Sequence, residues 1–219
     1  MNRHVNAIAG RLSLRPPQRE SLAILDRVTE IVPPKNGAYL SAALDAIKSE
    51  FPTVTDFERE FPCLCFALAT GVGKTRLMGA FISYLHLAHG INHFFVLAPN
   101  LTIYNKLITD FMPNTPKYVF TGIAEFATEP PTIITGDNYE SGVAARLTSL
   151  PGFGQEVHIN IFNISKINSE VRGGKAPRIK RLSEYIGQSY FEYLAGLDDL
   201  VLLMDESHRY RASAGVRAI

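Results

Sequence analysis

Cysteine is scarce in this chain of 219 residues, which holds only Cys63 and Cys65, in the stretch FPCLCFALA. Two residues apart, they would share one face of a strand without good disulfide geometry. A lone CxC also falls short of a four-ligand zinc site. The expectation is two reduced core thiols in a reducing compartment, the cytoplasm by default. Long hydrophobic runs are missing as well. No stretch approaches the roughly 18 apolar residues of a membrane span. The opening MNRHVNAIAGRLSLRPPQ has no apolar segment of signal-peptide length. Neither secretion nor membrane embedding is expected. Charge of one sign is absent too, since 22 Lys plus Arg meet 21 Asp plus Glu for a formal net charge of +1. That balance excludes a global electrostatic footprint for nucleic acid and leaves only local patches to provide one. There is no internal repeat and no low-complexity segment.

What is present fits a soluble globular protein, with 46% apolar and 20% charged residues. The length suits one large α/β domain or a domain with a small appendage. In QRESLAILDRVTEIV (18–32), Leu22, Leu25, Val28, Ile31 and Val32 recur at three- and four-residue spacing, one face of a helix that the Pro33-Pro34 pair ends. YLSAALDAIKSEF reads as a second helix. FPCLCFALA reads as a buried strand, followed by a glycine turn and a helix from Lys74 to Leu87 that His89-Gly90 closes. HFFVLAPN is the next strand and LTIYNKLITDF the next helix. Short strand candidates KYVF and PTIITG precede the strand VHINIFN (157–163), a helix around YFEYLAGL and a last strand, LVLLMDE (200–206). Apolar strands alternating with helices predict a mostly parallel sheet with helices on both faces, preceded by N-terminal helices. The division expected is an N-terminal helical segment over 1–60 and an α/β nucleotide-binding domain over 61–219.

The sequence ATGVGKT follows most of the GxxxxGK[ST] rule in a strand, turn, helix context. Gly71 and Gly73 permit positive φ, so that backbone N–H groups converge on phosphate oxygens beside a helix N-terminus. Lys74 would meet the β and γ phosphates, and Thr75 would offer its hydroxyl to Mg²⁺. Thr70, Gly71, Val72, Gly73, Lys74, Thr75 and Arg76 are the candidate phosphate-binding residues. Leu68 stands where the full rule has its first glycine. The bland alternative is a purely structural glycine turn.

A phosphate cradle alone fits a kinase, a GTPase or a motor. LVLLMDESHRY adds an apolar strand that ends in two carboxylates. Asp205 is placed to hold Mg²⁺ and Glu206 to polarise an attacking water, at the carboxyl edge where α/β sheets collect ligands. The plain alternative is a strand ending in solvated acids. His208 follows them, and from the residues alone it is either structural or functional.

Together these residues resemble the DExD/H-box helicases and translocases of superfamily 2, and within them the motor subunit of type III restriction enzymes. ATGVGKT resembles motif I and DESH resembles motif II, with Ser207 in place of the commoner alanine or cysteine. The resemblance implies a RecA-like P-loop NTPase domain that uses ATP and Mg²⁺. In it Lys74, Asp205 and Glu206 are catalytic, Thr75 and Asp205 hold the metal, and His208 couples nucleotide state to nucleic acid. LRPPQRESL (14–22) is similar to the Q motif, implying that Gln18 reads the adenine edge, as its amide donor and acceptor allow; otherwise Gln18 is a polar residue opening a helix. VLAPNLTIYNKL (96–107) is similar to motif Ia, which implies that Pro99 and Asn100 touch a nucleic-acid backbone. NIFNISKIN and TIITGDNYE resemble further segments of the restriction-type group, as does a bulky residue such as Leu68 opening motif I. The basic run VRGGKAPRIKRLSE, with Lys180 and Arg181, is either a solvated loop or a phosphate-backbone contact.

The implied function is a DNA-dependent ATPase and translocase of a restriction system, duplex DNA being favoured over RNA. A methyltransferase or specificity subunit is the implied partner, and the nuclease is expected on a part outside this chain. No second motor domain follows DESH, so the chain is expected to be a fragment that holds half of a split site and hydrolyses ATP poorly alone. The alternatives are an RNA helicase N-terminal domain, a P-loop phosphotransferase and a non-enzymatic nucleotide-binding module.

Overall fold

A computed structural model of the chain describes residues 2–34, 40–57, 61–139, 156–164, 167, 178–180 and 189–207. Two compact units make it up, the first from residues 1–90 with 121–123, the second from 91–120 with 124–219.

The first unit is helical. Helix α1 (Arg3–Arg11) is a nine-residue helix that the opening's polarity conceals; the Asn2 side chain caps it by accepting from the His4 amide, and Val5, Ile8 and Ala9 are its buried face. Helix α2 (Pro16–Ile31) starts on Pro16 and Pro17, whose fixed φ suits a first turn, and buries Leu22, Leu25 and Val28 as the spacing predicts. Helix α3 (Leu40–Glu50) packs on α2, and Val28, Val32, Ala43, Ile47 and Phe57 form a core between and beside them. Helix α4 (Lys74–His89) opens directly after the glycine turn and ends on Gly90 at φ +62°, the left-handed closure that glycine supplies. Every residue of α4 from Leu77 to Leu85 is buried, because α1 and α2 both pack against it.

FPCLCFALA does not form the expected ladder strand. Residues 62–69 have no strand assignment, yet they alternate: Leu64, Phe66 and Leu68 are half-buried, while Cys63 and Cys65 are exposed. Leu64 packs against the α2–α3 core and the Phe66 ring lies 5.0 Å from that of Phe81. The period-two reading thus put the cysteines on one face correctly and chose the wrong face. The large apolar side chains take the inner positions, and the thiols, which gain less from burial, face outward.

Among the described residues, the second unit holds four parallel strands in the order β2-β3-β1-β4: β1 (His93–Ala98), β2 (Thr132–Thr135), β3 (His158–Asn163) and β4 (Leu200–Met204). Parallel pairing sets His93 against both His158 and Leu200. The central strands β1 and β3 are buried almost throughout, β1 as an apolar run and β3 with His158, Asn160 and Asn163 buried among its apolar residues, whereas the edge strand β4 is half-buried. Helix α5 (Leu101–Phe111) follows β1 and lies against the sheet; α6 (Ala124–Thr128) and α7 (Tyr190–Ala195) are short. The Tyr190 hydroxyl donates to the Asn160 Oδ1, and Asn160 donates to the Phe94 carbonyl (3.1 Å), so the one amide in the middle of β3 is satisfied. Tyr190 belongs to an apolar cluster with Phe95, Leu97, Ile134 and Phe162.

KYVF is a turn, not a strand. Val119 and Phe120 are buried against α5 and α6: the Val119 amide donates to the Asp110 carbonyl (2.9 Å) and the Phe120 ring meets Phe111 at 5.6 Å and Phe126 at 4.7 Å. Apolar burial needs no ladder when the backbone amides find partners in a turn.

Candidate functional site

In the first unit, the chain enters α4 through Gly71 at φ +80° and Gly73 at φ +93°, both in the region that side chains rarely adopt. Gly73 is the N-cap of α4 and supplies no side-chain acceptor to the helix's first amides, and no acidic residue stands in that turn. The helix's positive end is therefore kept for an anion from elsewhere. Lys74 is the first helical residue and Thr75 the second; both are half-buried, as is Val72, while Thr70, Gly71, Gly73 and Arg76 are exposed. A Cβ added at Gly71 would meet nothing within 4 Å, so that face of the loop is open. This donor set fits a magnesium nucleotide, with glycine amides and Lys74 for phosphate oxygens and the Thr75 hydroxyl for the cation. Arg76 is turned the other way: its Nη1 donates to the Leu12 carbonyl at 3.0 Å, tying the first turn of α4 to the end of α1.

The loop has two side chains on its own carbonyls. Gln18 Nε2 donates to the Gly73 carbonyl at 2.9 Å, and Arg15 Nη1 donates to the Gly71 carbonyl at 3.2 Å. Gln18 is 2% exposed, and its Oε1 accepts from the Arg15 backbone amide at 2.8 Å. The amide expected at an adenine edge thus faces the phosphate loop, with one N–H and one lone pair outside these two bonds. Arg15 was not singled out from the sequence, where nothing but its place in LRPPQ hinted at it.

In the second unit, β4 delivers the carboxylates. The Asp205 amide donates to the Leu97 carbonyl (3.2 Å), which extends the β1–β4 pairing one residue past the strand. Glu206 then turns to φ +52°, and Asp205 and Glu206 are both half-buried. A glutamate in the left-handed region is uncommon and costs on the order of 1–3 kcal/mol, the kind of local strain that gathers at functional positions. Leu97 pairs with Met204, so the end of β1, with Pro99 and Asn100, lies beside Asp205 at the carboxyl edge of the sheet. Pro99 and Asn100 are half-buried, and Asn100 Oδ1 accepts from the Ile103 amide at 2.9 Å, capping α5. The capping role accounts for the asparagine's oxygen and leaves its NH₂ group outside that bond. Lys180 is exposed in a short 3₁₀ turn (Arg178–Lys180), its Nζ 4.8 Å from the centre of the Phe191 ring. Arg181 and His208 lie outside the described residues.

The opposite edge of the sheet carries a histidine cluster that the sequence reading passed over. His93 Nδ1 is 2.5 Å from Asp199 Oδ1, and the His158 ring stacks edge-on to His93 at 5.3 Å. Burial, then the neighbouring His93, push the His158 pKa down. Its two ring nitrogens make no hydrogen bond, the nearer carboxylate oxygen of Glu156 being 3.6 Å from Nε2.

Residues 11–219 match the family described as type III restriction enzyme, res subunit. Neither the curated proteins nor the solved structures gave a match. Among the described residues, no helix is long and apolar enough to cross a membrane.

Proposed function

Since the chain belongs to the type III restriction enzyme res-subunit family, we propose that it is an ATP-driven motor domain acting on duplex DNA. The family's domain is a helicase-like ATP-binding motor of the DExD/H class. The observation that carries the reading for this chain is the start of α4: two glycines at positive φ, an N-cap without a side-chain acceptor, and Lys74 and Thr75 at the first two helical positions.

In this reading the amides from Thr70 to Thr75 and the Lys74 ammonium would hold the phosphates; the candidate metal-holding groups are the Thr75 hydroxyl in the first unit and the Asp205 carboxylate in the second. Glu206, at φ +52° just past Asp205, would accept the proton of the attacking water. When bound, ATP brings the transferable phosphoryl group and Mg²⁺ neutralises the charge around it. Lys74 would also neutralise charge as the leaving phosphate develops it, which is where a fixed cation counts most.

Duplex DNA is the proposed track because the family implies interaction with DNA and association with a modification subunit. The Pro99–Asn100 turn and the basic stretch around Lys180 and Arg181 are the proposed backbone contacts, and His208 the coupling residue. Contacts of this kind are independent of sequence and weaken steeply with salt.

The test is the anisotropy of labelled duplex DNA and of an RNA of equal length, titrated with the chain with and without MgATP. The expected result is tighter binding of the duplex and an affinity that changes when MgATP is added, as linkage requires of a motor. RNA bound in preference to duplex would make it an RNA helicase domain. No binding of either, with MgATP bound, would make it a phosphotransferase or a nucleotide-binding module.

A further inference from the structure

Gln18 and Arg15 come from the N-terminal helices, yet both end on the phosphate loop's backbone, on the carbonyls of Gly73 and Gly71. We propose that Gln18 is a positioning residue for phosphate: it fixes the glycine loop in its anion-binding conformation and so raises affinity for the polyphosphate whatever base is attached. The inference rests on the nucleotide reading of the loop and adds to it a role that is separate from recognition of adenine.

Three features carry it. Gln18 is nearly fully buried, so its amide cannot exchange the Gly73 carbonyl for water at no cost. Its orientation is set from behind, because Oε1 accepts from the Arg15 amide at 2.8 Å in the first turn of α2. That bond selects which end of the amide faces the loop, leaving the N–H to donate. The third feature is steric. A Cβ on Gly73 would stand 2.8 Å from Gln18 Nε2, so the glutamine occupies the space that the missing side chain leaves. Gly73 itself holds φ +93°, a conformation the free chain visits among many others. That carbonyl also accepts from the Leu77 amide at 3.1 Å as the first bond of α4, and Gln18 holds it a second time from outside the loop, with the Lys74 amide on the opposite side of the same peptide plane, where the phosphate is to be bound. The loop's ordering entropy is then met during folding and not at ligand binding.

Arg15 does the same at Gly71 with less force, since its side chain is solvent-exposed. Between them the two side chains grip the loop at both glycines.

The experiment uses inorganic tripolyphosphate with Mg²⁺, which has the phosphates of ATP and no base, alongside MgATP and MgGTP. Isothermal titration would compare the wild type with Gln18→Met and Gln18→Glu; the first removes the amide at equal length, and the second keeps the acceptor and loses the donor. Thermal unfolding checks that each variant is folded. Hydrogen exchange of the segment 70–76 supplies the local readout that a general loss of stability would not reproduce. The expected result is a loss of about tenfold for all three ligands by the same factor, the size of one hydrogen bond. Exchange should be faster in 70–76 and unchanged elsewhere. Loss for MgATP alone, with tripolyphosphate and MgGTP unaffected, would overturn the proposal and leave Gln18 as a reader of adenine. Unchanged binding of all three would overturn it as well. A wild type that binds none of the three would contradict the nucleotide reading itself, and with it this role.

Discussion

The Tyr84 hydroxyl donates to Asp26 Oδ1 at 2.9 Å, both side chains all but removed from solvent. The contact joins α4 to α2 at their far ends, two turns or more from the Gln18–Gly73 bond that joins them at the loop. Thr29 Oγ1 lies 2.9 Å and His89 Nε2 3.1 Å from the same hydroxyl, so the polar group sits in a closed network. Burial pushes the Tyr84 pKa up to about 12, which extends the pH range over which the hydroxyl keeps its donor proton further into the alkaline. Tyr84→Phe leaves the Asp26 carboxylate short of a donor and is expected to cost about 1–3 kcal/mol. Urea unfolding measures it; an unchanged midpoint would show that the network contributes nothing.

Gly73→Ala meets two obstacles, a φ that alanine adopts only under strain and the Gln18 amide 2.8 Å from the new Cβ. The expected loss is about 1–3 kcal/mol. In the double variant with Gln18→Ala the steric part is relieved and the backbone part stays, so the double variant loses less than the sum of the two single losses. A strictly additive cycle would place the cost in the backbone alone.

Stability of the second unit should fall on acidification through His158. Burial and His93 depress its folded-state pKa below the ordinary 6.5, and Glu156 and Asp199 oppose that only in part. Below pH 6.5 the unfolded chain therefore binds a proton that the folded chain refuses. The contribution is complete above that value and declines as pH drops from about 6.5 towards the folded pKa, at no more than about 1.4 kcal/mol per pH unit. His158→Phe should flatten this part of the curve between pH 6.5 and 5, measured as the difference in unfolding free energy from the wild type. Parallel curves for the two proteins would exclude His158 as the source.

Cys63 and Cys65 are the chain's only cysteines and both are exposed. Native protein should therefore react with a maleimide at two thiols per chain without denaturant. A requirement for urea would restore the core assignment that their apolar neighbours first suggested.

Those cysteines show where sequence patterns stop. Apolarity and period two located an extended segment at FPCLCFALA, but the pattern is the same whether the backbone has a ladder partner or not, and it does not say which face is inward. The start and stop signals of two helices were legible, with α4 opening at Lys74 after Gly73 and closing on Gly90 and with Pro33 following the end of α2, whereas the capping of α5 by Asn100 shows only in the structure. The parallel sheet followed from the apolar runs of β1 and β4, while β3, with His158, Asn160 and Asn163, is buried in spite of its polar residues. Of the candidate site, the glycines' conformation was legible because φ > 0 is a property of the residue type. The grip of Gln18 and Arg15 on that loop was not, since it joins positions more than 50 residues apart and depends on how α2 packs against α4. The left-handed turn at Glu206 was hidden for a different reason: glutamate has no preference for it, and only the surrounding structure imposes it.

The central claim is that the turn at the start of α4 holds nucleotide phosphates through Lys74. Titration of the chain with MgATP, for the wild type and for Lys74→Ala with an unchanged circular dichroism spectrum, tests it most directly. Saturable, Mg²⁺-dependent binding by the wild type and a loss of roughly ten- to hundredfold in the variant are predicted, the weight of a charged contact to phosphate. Equal binding by the two proteins would contradict the account.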